Sequence, residues 1–262
     1  MFKWAVSEEM LPVETLTALQ SLSGLLAGRT SAIEAAPVKP VPQAFIDGVE
    51  PFVSHQIWAM IQLQRLTGAR PGEITSMRGC DLNTAGKVWE YVPGSHKTEH
   101  HSKRRIVFIG PRAQDVLRPF LKMDLAAYLF SPADALAEHR LQLRATRKTP
   151  LTPSQRARTR KKNPAKQPGD RYTVLSYGRA IATACKRADR EAHQQNPDVA
   201  ADVALVPHWH PHQLRHNNAT ELRREFGIET ARAVLGHSSI VTSELYAEMD
   251  DSKAREAIAR IG

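Results

Sequence analysis

Guanidinium and imidazole groups occur in this chain at spacings that suit an anionic substrate. His212 and Arg215 are three residues apart, so on a helix they would share one face and aim both groups at the same place. Arg70 follows the turn Thr67-Gly68-Ala69, close to a predicted helix N-terminus, where anions are already favoured. Arginines bind phosphate oxygens in bidentate geometry, and a nearby imidazole can share the same group. The residue types therefore predict a site for a phosphate.

Three further polar residues could act on the same phosphate. Lys97 lies in a polar stretch between two short runs of β-forming residues, where a hairpin tip could carry its ammonium group to a substrate. His237 directly follows a glycine that suits a helix stop. Tyr246 lies nine residues later in a helical stretch, where a single tyrosine is usually part of a core. Taken alone, Lys97 would be interpreted as a solvated turn residue and Tyr246 as a packed core side chain.

Together these residues resemble the tyrosine recombinase, or phage integrase, family in identity, order and spacing. The similarity runs from about residue 52 to residue 249, and five boxes in the right order are far more specific than any one of them. The boxes are, in chain order, Thr67-Gly68-Ala69-Arg70 with Glu73, then Lys97, then His212 with Arg215, then Leu235-Gly236-His237, and then Tyr246.

The resemblance implies a mainly α fold with a small antiparallel β-sheet, an α+β arrangement like the tyrosine recombinase catalytic domain. It implies site-specific recombination or integration of DNA by transesterification. Tyr246 would form a 3′-phosphotyrosyl intermediate, and a 5′-hydroxyl of another strand would then reverse the step. The covalent link conserves the energy of the phosphodiester, so no cofactor, metal ion or ATP is expected.

The resemblance and the chemistry of phosphodiesters together give each matched residue a role. Arg70 and Arg215 would hold the phosphate oxygens and stabilise the charge of the transition state, with a further hydrogen bond from His237. Glu73 is expected to support Arg70. These are the groups that bind the substrate.

The proton transfers fall to the remaining matched residues. The phenol of Tyr246 ionises near pH 10 when free, so its attack on phosphorus needs a base or a cationic setting, and His212 is the expected helper. Lys97 is the expected general acid for the leaving 5′-hydroxyl, with a pKa lowered by desolvation and by nearby arginines.

The charge of the chain is concentrated in one segment. The formal net charge is +9, yet residues 139–171 hold eleven Lys or Arg against one acid, which leaves 25 basic and 26 acidic residues elsewhere. This segment includes an apparent insertion at about 148–169, and it predicts a polyanionic partner, double-stranded DNA. The candidate DNA contacts are Arg156, Arg158, Arg160, Lys161, Lys162, and the hairpin residues Lys103 and Arg104. A solvated loop that binds nothing is the alternative.

The elements that position these residues follow from hydrophobic periodicity. Leucines at helical spacing from Leu16 to Leu26 predict an amphipathic helix, and prolines from residue 37 to residue 42 predict a linker. A helix is predicted over residues 51–66, with Gly68 as its C-terminal cap and Pro71 in the first turn of the next helix. Residues 88–92 and 105–109 predict a hairpin, and helices dominate from residue 112 onward.

These elements suggest two parts: residues 1–50, a helical remnant of a core-binding domain with its linker, and residues 51–262, a catalytic domain. The first six residues resemble the last helix of the core-binding domain that family members usually carry. A truncated, recombination-deficient DNA-binding remnant is therefore an alternative function. A final apolar stripe from Ala254 to Ile261 is predicted to dock in cis or on a neighbouring protomer of a homotetramer.

A zinc hydrolase is a more remote alternative. His208, His210, His212 and His216 crowd one segment, and the last two have the i, i+4 spacing of helical zinc sites. The residue that would activate water there is Gln213 rather than a glutamate, and zinc gives the other matched residues no role. No signal sequence, membrane span or cysteine framework is recognised, which predicts a cytosolic, nucleoid-associated protein of prokaryotic or mobile-element origin without membrane contact.

Overall fold

The computed structural model of the chain describes residues 1–23, 29, 31, 33, 38–94, 105–150, 152–158, 167–200, 202–236 and 259. The chain divides into two compact units, Met1–Val38 and Lys39–Gly262. The first contains α1 (Phe2–Ser7) and α2 (Val13–Ser21), and none of the described residues in these helices is buried. The predicted leucine helix thus ends at Ser21, with Leu22 in an extended conformation, and Leu26 lies outside the described residues.

The larger unit begins with short helical elements that lead into α4. They are α3 (Gln43–Asp47), a 3-10 turn (Glu50–Phe52), α4 (His55–Thr67) and α5 (Pro71–Thr75). The predicted start of α4 at residue 51 was early, because the Ser54 side chain accepts the Ile57 N–H and caps the helix there. Its predicted end is confirmed: Gly68 has φ +64°, and Pro71 occupies the first position of α5.

A three-stranded antiparallel sheet follows, in the order β1 (Leu82–Asn83), β2 (Trp89–Tyr91) and β3 (Val107–Ile109). Trp89 pairs with Ile109 and Tyr91 with Val107, which confirms the predicted hairpin. Strand β1 was not predicted, because a two-residue strand is too short for an alternating pattern. The Tyr91 hydroxyl donates to the Glu73 carbonyl at 2.8 Å and so fixes the sheet to α5.

Helices form most of the remaining described chain. They are α6 (Pro111–Leu117), α7 (Pro132–Ala145), α8 (Pro153–Ala157), α9 (Val174–Gln195), α10 (Pro211–Phe226) and α11 (Ile228–Leu235), with a 3-10 turn (Arg118–Phe120) after α6. This confirms the predicted helical pattern. None of the described helices is long and apolar enough to cross a membrane.

The core is organised around α4, which packs against α6 on one side and α10 on another. Ile57, Met60, Ile61 and Leu63 are at most 3% exposed. Because α4 is nearly enclosed, its polar residues need internal partners. The carbonyl of the buried Gln64 side chain accepts the Tyr177 hydroxyl at 3.1 Å, which links α4 to α9. This hydrogen bond anchors the C-terminal part of α4, which leads into the turn before Arg70.

Candidate active site

Arg70 lies at the junction between α4 and α5, where its backbone and side chain are held by the same carboxylate. Its backbone N–H donates to Glu73 Oε2 at 2.8 Å, and its Nη1 donates to Glu73 Oε1 at 2.8 Å. The Glu73 side chain is 4% exposed, whereas the Arg70 side chain is 24% exposed. The supporting role predicted for Glu73 has this geometry behind it: a buried anion holds a cation that reaches solvent.

Arg215 lies on α10, and its side chain is held by two backbone carbonyls at the C-terminal ends of α4 and α11. Its Nη1 donates to the Gly68 carbonyl at 2.6 Å, and its Nη2 donates to the Leu235 carbonyl at 2.7 Å. Helix C-termini carry unsatisfied carbonyls and partial negative charge, so a guanidinium is stabilised there. The side chain of Arg215 thereby joins the turn before Arg70 to the turn at the end of α11.

His212 lies one turn before Arg215 on the same helix, as the i, i+3 spacing predicted. Burial lowers the pKa of His212 to about 4, and the positive charges of Arg215 and Arg70 and the neighbouring His216 and His210 act in the same direction. The imidazole is therefore neutral at neutral pH, and with this pKa it is a weak base until an anion such as a phosphate lies beside it. The structure brings His212, Arg215 and Arg70 into one electrostatic cluster.

Close packing at Gly68 keeps the two arginine-bearing segments together. A Cβ on Gly68 would overlap Asn218 Oδ1 and would lie 2.6 Å from Leu235 Cδ2. The Asn218 side chain donates from Nδ2 to the Arg65 carbonyl at 3.0 Å, at the end of α4. Only glycine fits both the positive φ and the contact, so α10 and α11 can approach the end of α4 closely.

Arg105 was not predicted as a site residue, yet it joins the cluster. It lies two residues before β3, and its Nε lies 3.3 Å from Glu73 Oε1, with both side chains about 5% exposed or less. Burial alone would raise the pKa of Glu73, but the charge of Arg105 and the hydrogen bonds from Arg70 outweigh it and lower that pKa. The sequence contained one signal for this residue: Arg105 directly precedes an apolar, β-branched run, residues 106–109, within the stretch predicted to form a strand.

An open groove of about 550 Å³ leads to this cluster from outside. Its walls come from the starts of α5, α9 and α10, and its lining is largely apolar. Arg70 and His212 are part of the lining, beside Val174 and Leu175 of α9, which are 51% and 62% exposed. A substrate phosphate could therefore reach Arg70 and His212 from this groove, whereas Arg215 is 1% exposed and lies behind the lining.

Several residues of the predicted site lie outside the described residues: Lys97, His237, Tyr246, Lys103, Arg104, Arg160, Lys161 and Lys162. Arg156 lies on α8 and Arg158 follows it, both exposed. Within the described part of the chain, neither forms a hydrogen bond or ion pair with the Arg70 cluster. Their proposed contact with DNA stays a prediction.

The histidines of the zinc alternative pack against each other in pairs. The rings of His208 and His210 stack with centroids 6.5 Å apart, and those of His212 and His216 meet edge to face at 6.0 Å. Across the described ranges, no group of three or more His, Cys, Asp or Glu side chains is arranged to hold a metal ion.

The amino-acid sequence is similar to one protein family and to several individual relatives. Residues 53–253 match the phage integrase family. The tyrosine recombinase XerC of Serratia marcescens is 24% identical over 195 residues, covering 73% of this chain and 47% of that protein. XerC of Caldanaerobacter subterraneus is 43% identical over 49 residues, 18% of this chain and 14% of that protein. The chain spans less than half the length of these relatives.

Solved structures show the same fold. The Tn1549 transposon integrase in complex with circular intermediate DNA gives a TM-score of 0.55 at 17% identity, covering 99% of this chain and 84% of that one. A lambda integrase dimer bound to a COC′ core site gives 0.50 at 15% identity, covering 94% and 55%. The predicted fold, mainly α with a small antiparallel sheet, is confirmed as that of tyrosine recombinase catalytic domains.

Proposed function

The chain belongs to the phage integrase family, and on that premise we propose that it is a site-specific DNA recombinase that uses Tyr246 as its nucleophile. The observation that carries the proposal is that Arg70 and neutral His212 line one open groove, with the buried Arg215 fixed one turn beyond His212 on the same helix. Fixed guanidinium groups can stabilise the charge that builds on a phosphodiester under attack, and a neighbouring imidazole can exchange a proton with the nucleophile.

The proposed step is a balanced transesterification. The Tyr246 oxygen attacks phosphorus, and the bond between phosphorus and the 5′-oxygen breaks. His212 accepts the phenol proton, and Lys97 donates a proton to the leaving oxygen. Arg70, with Arg215 and His237, stabilises the pentavalent phosphorus. A 5′-hydroxyl of another strand then attacks the phosphotyrosyl link and releases the tyrosine.

The proposed reaction consumes no nucleotide and uses no metal ion. Arginine guanidinium groups stay charged at any physiological pH, so they can supply the positive charge that a metal would otherwise provide. Strand joining in excess chelator and without ATP is the expected result. Strand cleavage that stops in chelator, recovers with zinc and never leads to joining would instead favour the hydrolase built on the paired histidines.

The test of the nucleophile is covalent capture on nicked DNA. A library of nicked suicide duplexes with randomised cores is incubated with the full chain, and adducts that survive denaturing detergent are collected and sequenced. The wild-type chain should form adducts, and Tyr246→Phe should form none while it retains binding, because only the phenol oxygen is removed. Adducts from Tyr246→Phe would contradict the assignment, and a wild type that binds without forming adducts would favour a DNA-binding remnant.

The partner proposed for this chain is double-stranded DNA, in the nucleoid, bound by a homotetramer whose C-terminal stripe docks on a neighbour in trans. The support is the amphipathic spacing of Ala254, Ala257, Ile258 and Ile261. Crosslinking on captured DNA should yield tetramers with the full chain and mostly monomers with a chain ending at residue 250. Equal tetramer yield from both chains would assign the stripe to docking in cis.

A further inference from the structure

Glu73 is a buried carboxylate shared by two guanidinium groups of unequal exposure. Its Oε1 accepts from Arg70 Nη1 at 2.8 Å and lies 3.3 Å from Arg105 Nε. The Arg105 side chain is 5% exposed and that of Arg70 is 24% exposed. One anion therefore lies between a cation that reaches the groove and a cation that is sealed inside the fold.

The net charge of the cluster formed by Arg70, Glu73 and Arg105 depends on both arginines. Arg70, Arg105 and Glu73 together carry one net positive charge. Without Arg105, the Arg70 and Glu73 pair would be neutral, and an incoming phosphate would meet a guanidinium already matched by a buried carboxylate. Water screens a buried carboxylate less than an exposed one, so the loss of Arg105 would strengthen the negative field that Glu73 exerts on Arg70.

Arg105 is held so that it cannot leave this position. Its Nη1 donates to the Val234 carbonyl at 2.9 Å and to the Ile106 carbonyl at 3.0 Å. A Cβ added to Gly236, which has φ +66°, would lie 2.8 Å from the same Nη1. Arg105 therefore braces the end of α11 against the start of β3, and it does not line the groove. Any effect on a phosphate is therefore indirect, either through Glu73 and Arg70 or through the end of α11, where the Leu235 carbonyl holds Arg215.

We propose that Arg105 is a positioning residue that balances the charge of Glu73, so that Arg70 keeps a net positive charge for the phosphate. This inference rests on the proposed function, because the phosphate is that of the DNA strand. It assigns Arg105 a role different from that predicted for its neighbours Lys103 and Arg104, which are expected to contact DNA directly.

The test is a double-mutant cycle with substitutions at Arg105 and Glu73. The quantity compared is the single-turnover rate at which each variant forms a covalent adduct on captured nicked DNA. Arg105→Met makes the cluster neutral and should slow the reaction by about tenfold to a hundredfold. Arg105→Met combined with Glu73→Gln restores one net positive charge and should recover at least about tenfold of that loss. A brace that acts only by packing predicts losses that add, since each change removes further hydrogen bonds.

Controls separate folding from charge. Thermal melting of each variant reports stability, and Arg105→Gln serves as a second neutral variant that keeps an amide donor for the buried carbonyls. Arg118→Met provides a matched control, because Arg118 pairs with Asp115 at 3.7 Å on an exposed face. Its adduct rate should equal that of the wild type.

Different outcomes would contradict the role of Arg105 and the proposed recombinase function. A double variant as slow as Arg105→Met or slower, in a folded chain, would overturn the role of Arg105 and leave the recombinase proposal standing. A wild-type chain that forms no adduct on any sequence in the library would overturn both. Recovery of the rate in the double variant without a matching recovery of thermal stability supports the charge balance, because relief of an unpaired buried carboxylate would raise both.

Discussion

The Arg215 side chain owes its position to the ends of two helices rather than to its own neighbours in sequence. The carbonyls of Gly68 and Leu235 lie 147 and 20 residues away along the chain, yet both accept from its guanidinium. The i, i+3 spacing predicted that His212 and Arg215 share a face, but not that this face meets the ends of α4 and α11. Sequence spacing gives the direction of a side chain, and tertiary packing gives its target.

A pH-dependent stability follows from the environment of His212. Its pKa in the folded chain is about 4, below the 6.5 of an exposed histidine, so the unfolded chain binds this proton first as the pH falls. The free energy of unfolding should therefore drop as the pH goes from about 6.5 to 4, with this residue costing about 2 kcal/mol at pH 5. Above pH 7 the cost vanishes.

Urea unfolding at pH 7.5 and pH 5 measures this effect. His212→Gln should lose about 2 kcal/mol less than the wild type between the two pH values. His139→Gln, on an exposed part of α7, should behave like the wild type. Parallel losses in the wild type and in His212→Gln would show that the imidazole is not desolvated.

At the scale of elements, the junction of α4 with α10 and α11 depends on a single glycine. Gly68→Ala would place a methyl group on Asn218 Oδ1 and against Leu235 Cδ2 in a backbone with φ +64°. The free energy of unfolding should fall by about 2–4 kcal/mol, from the left-handed backbone and from overpacking together. Adduct formation should fall as well, because the same contact positions Arg215.

Gly86 supplies the matched control for this change. It also has a positive φ, +86°, but a Cβ there would meet nothing within 4 Å. Gly86→Ala should therefore cost only the backbone term of about 1–2 kcal/mol and leave adduct formation unchanged. Equal destabilisation by the two substitutions in urea unfolding would mean that the contact with Asn218 and Leu235 contributes nothing.

The elements themselves were predictable where local rules apply. Gly68 and Pro71 bound their helices as expected, because caps depend on backbone geometry within a few residues. The role of Arg105 was not predictable, because it depends on Glu73, 32 residues earlier, and on Val234, 129 residues later. Pairs so distant in sequence leave no periodic signal in a single chain.

For the whole molecule, the distribution of charge matters more than its total. The excess of basic residues between residues 139 and 171 includes α8, whose Arg156 is exposed, and Arg158 beyond it. A cationic surface attracts DNA from a distance and speeds encounter without selecting a sequence. In the proposed function, the cluster at Arg70 acts on one phosphate only. Under that proposal, general attraction to DNA is separate from chemistry at a single bond.

This separation predicts a change in salt dependence without a change in chemistry. Removing one ionic interaction with a phosphate should flatten the plot of log affinity against log salt concentration by about 0.9. Replacing Arg156, Arg158, Arg160, Lys161 and Lys162 with Gln should therefore reduce the slope by about 2 to 4 in fluorescence anisotropy titrations. The adduct rate at saturating DNA should stay at the wild-type value, and Arg118→Gln should leave the slope unchanged. An unchanged slope in the fivefold variant would make the segment a solvated loop, and the attraction would then have to come from the site itself.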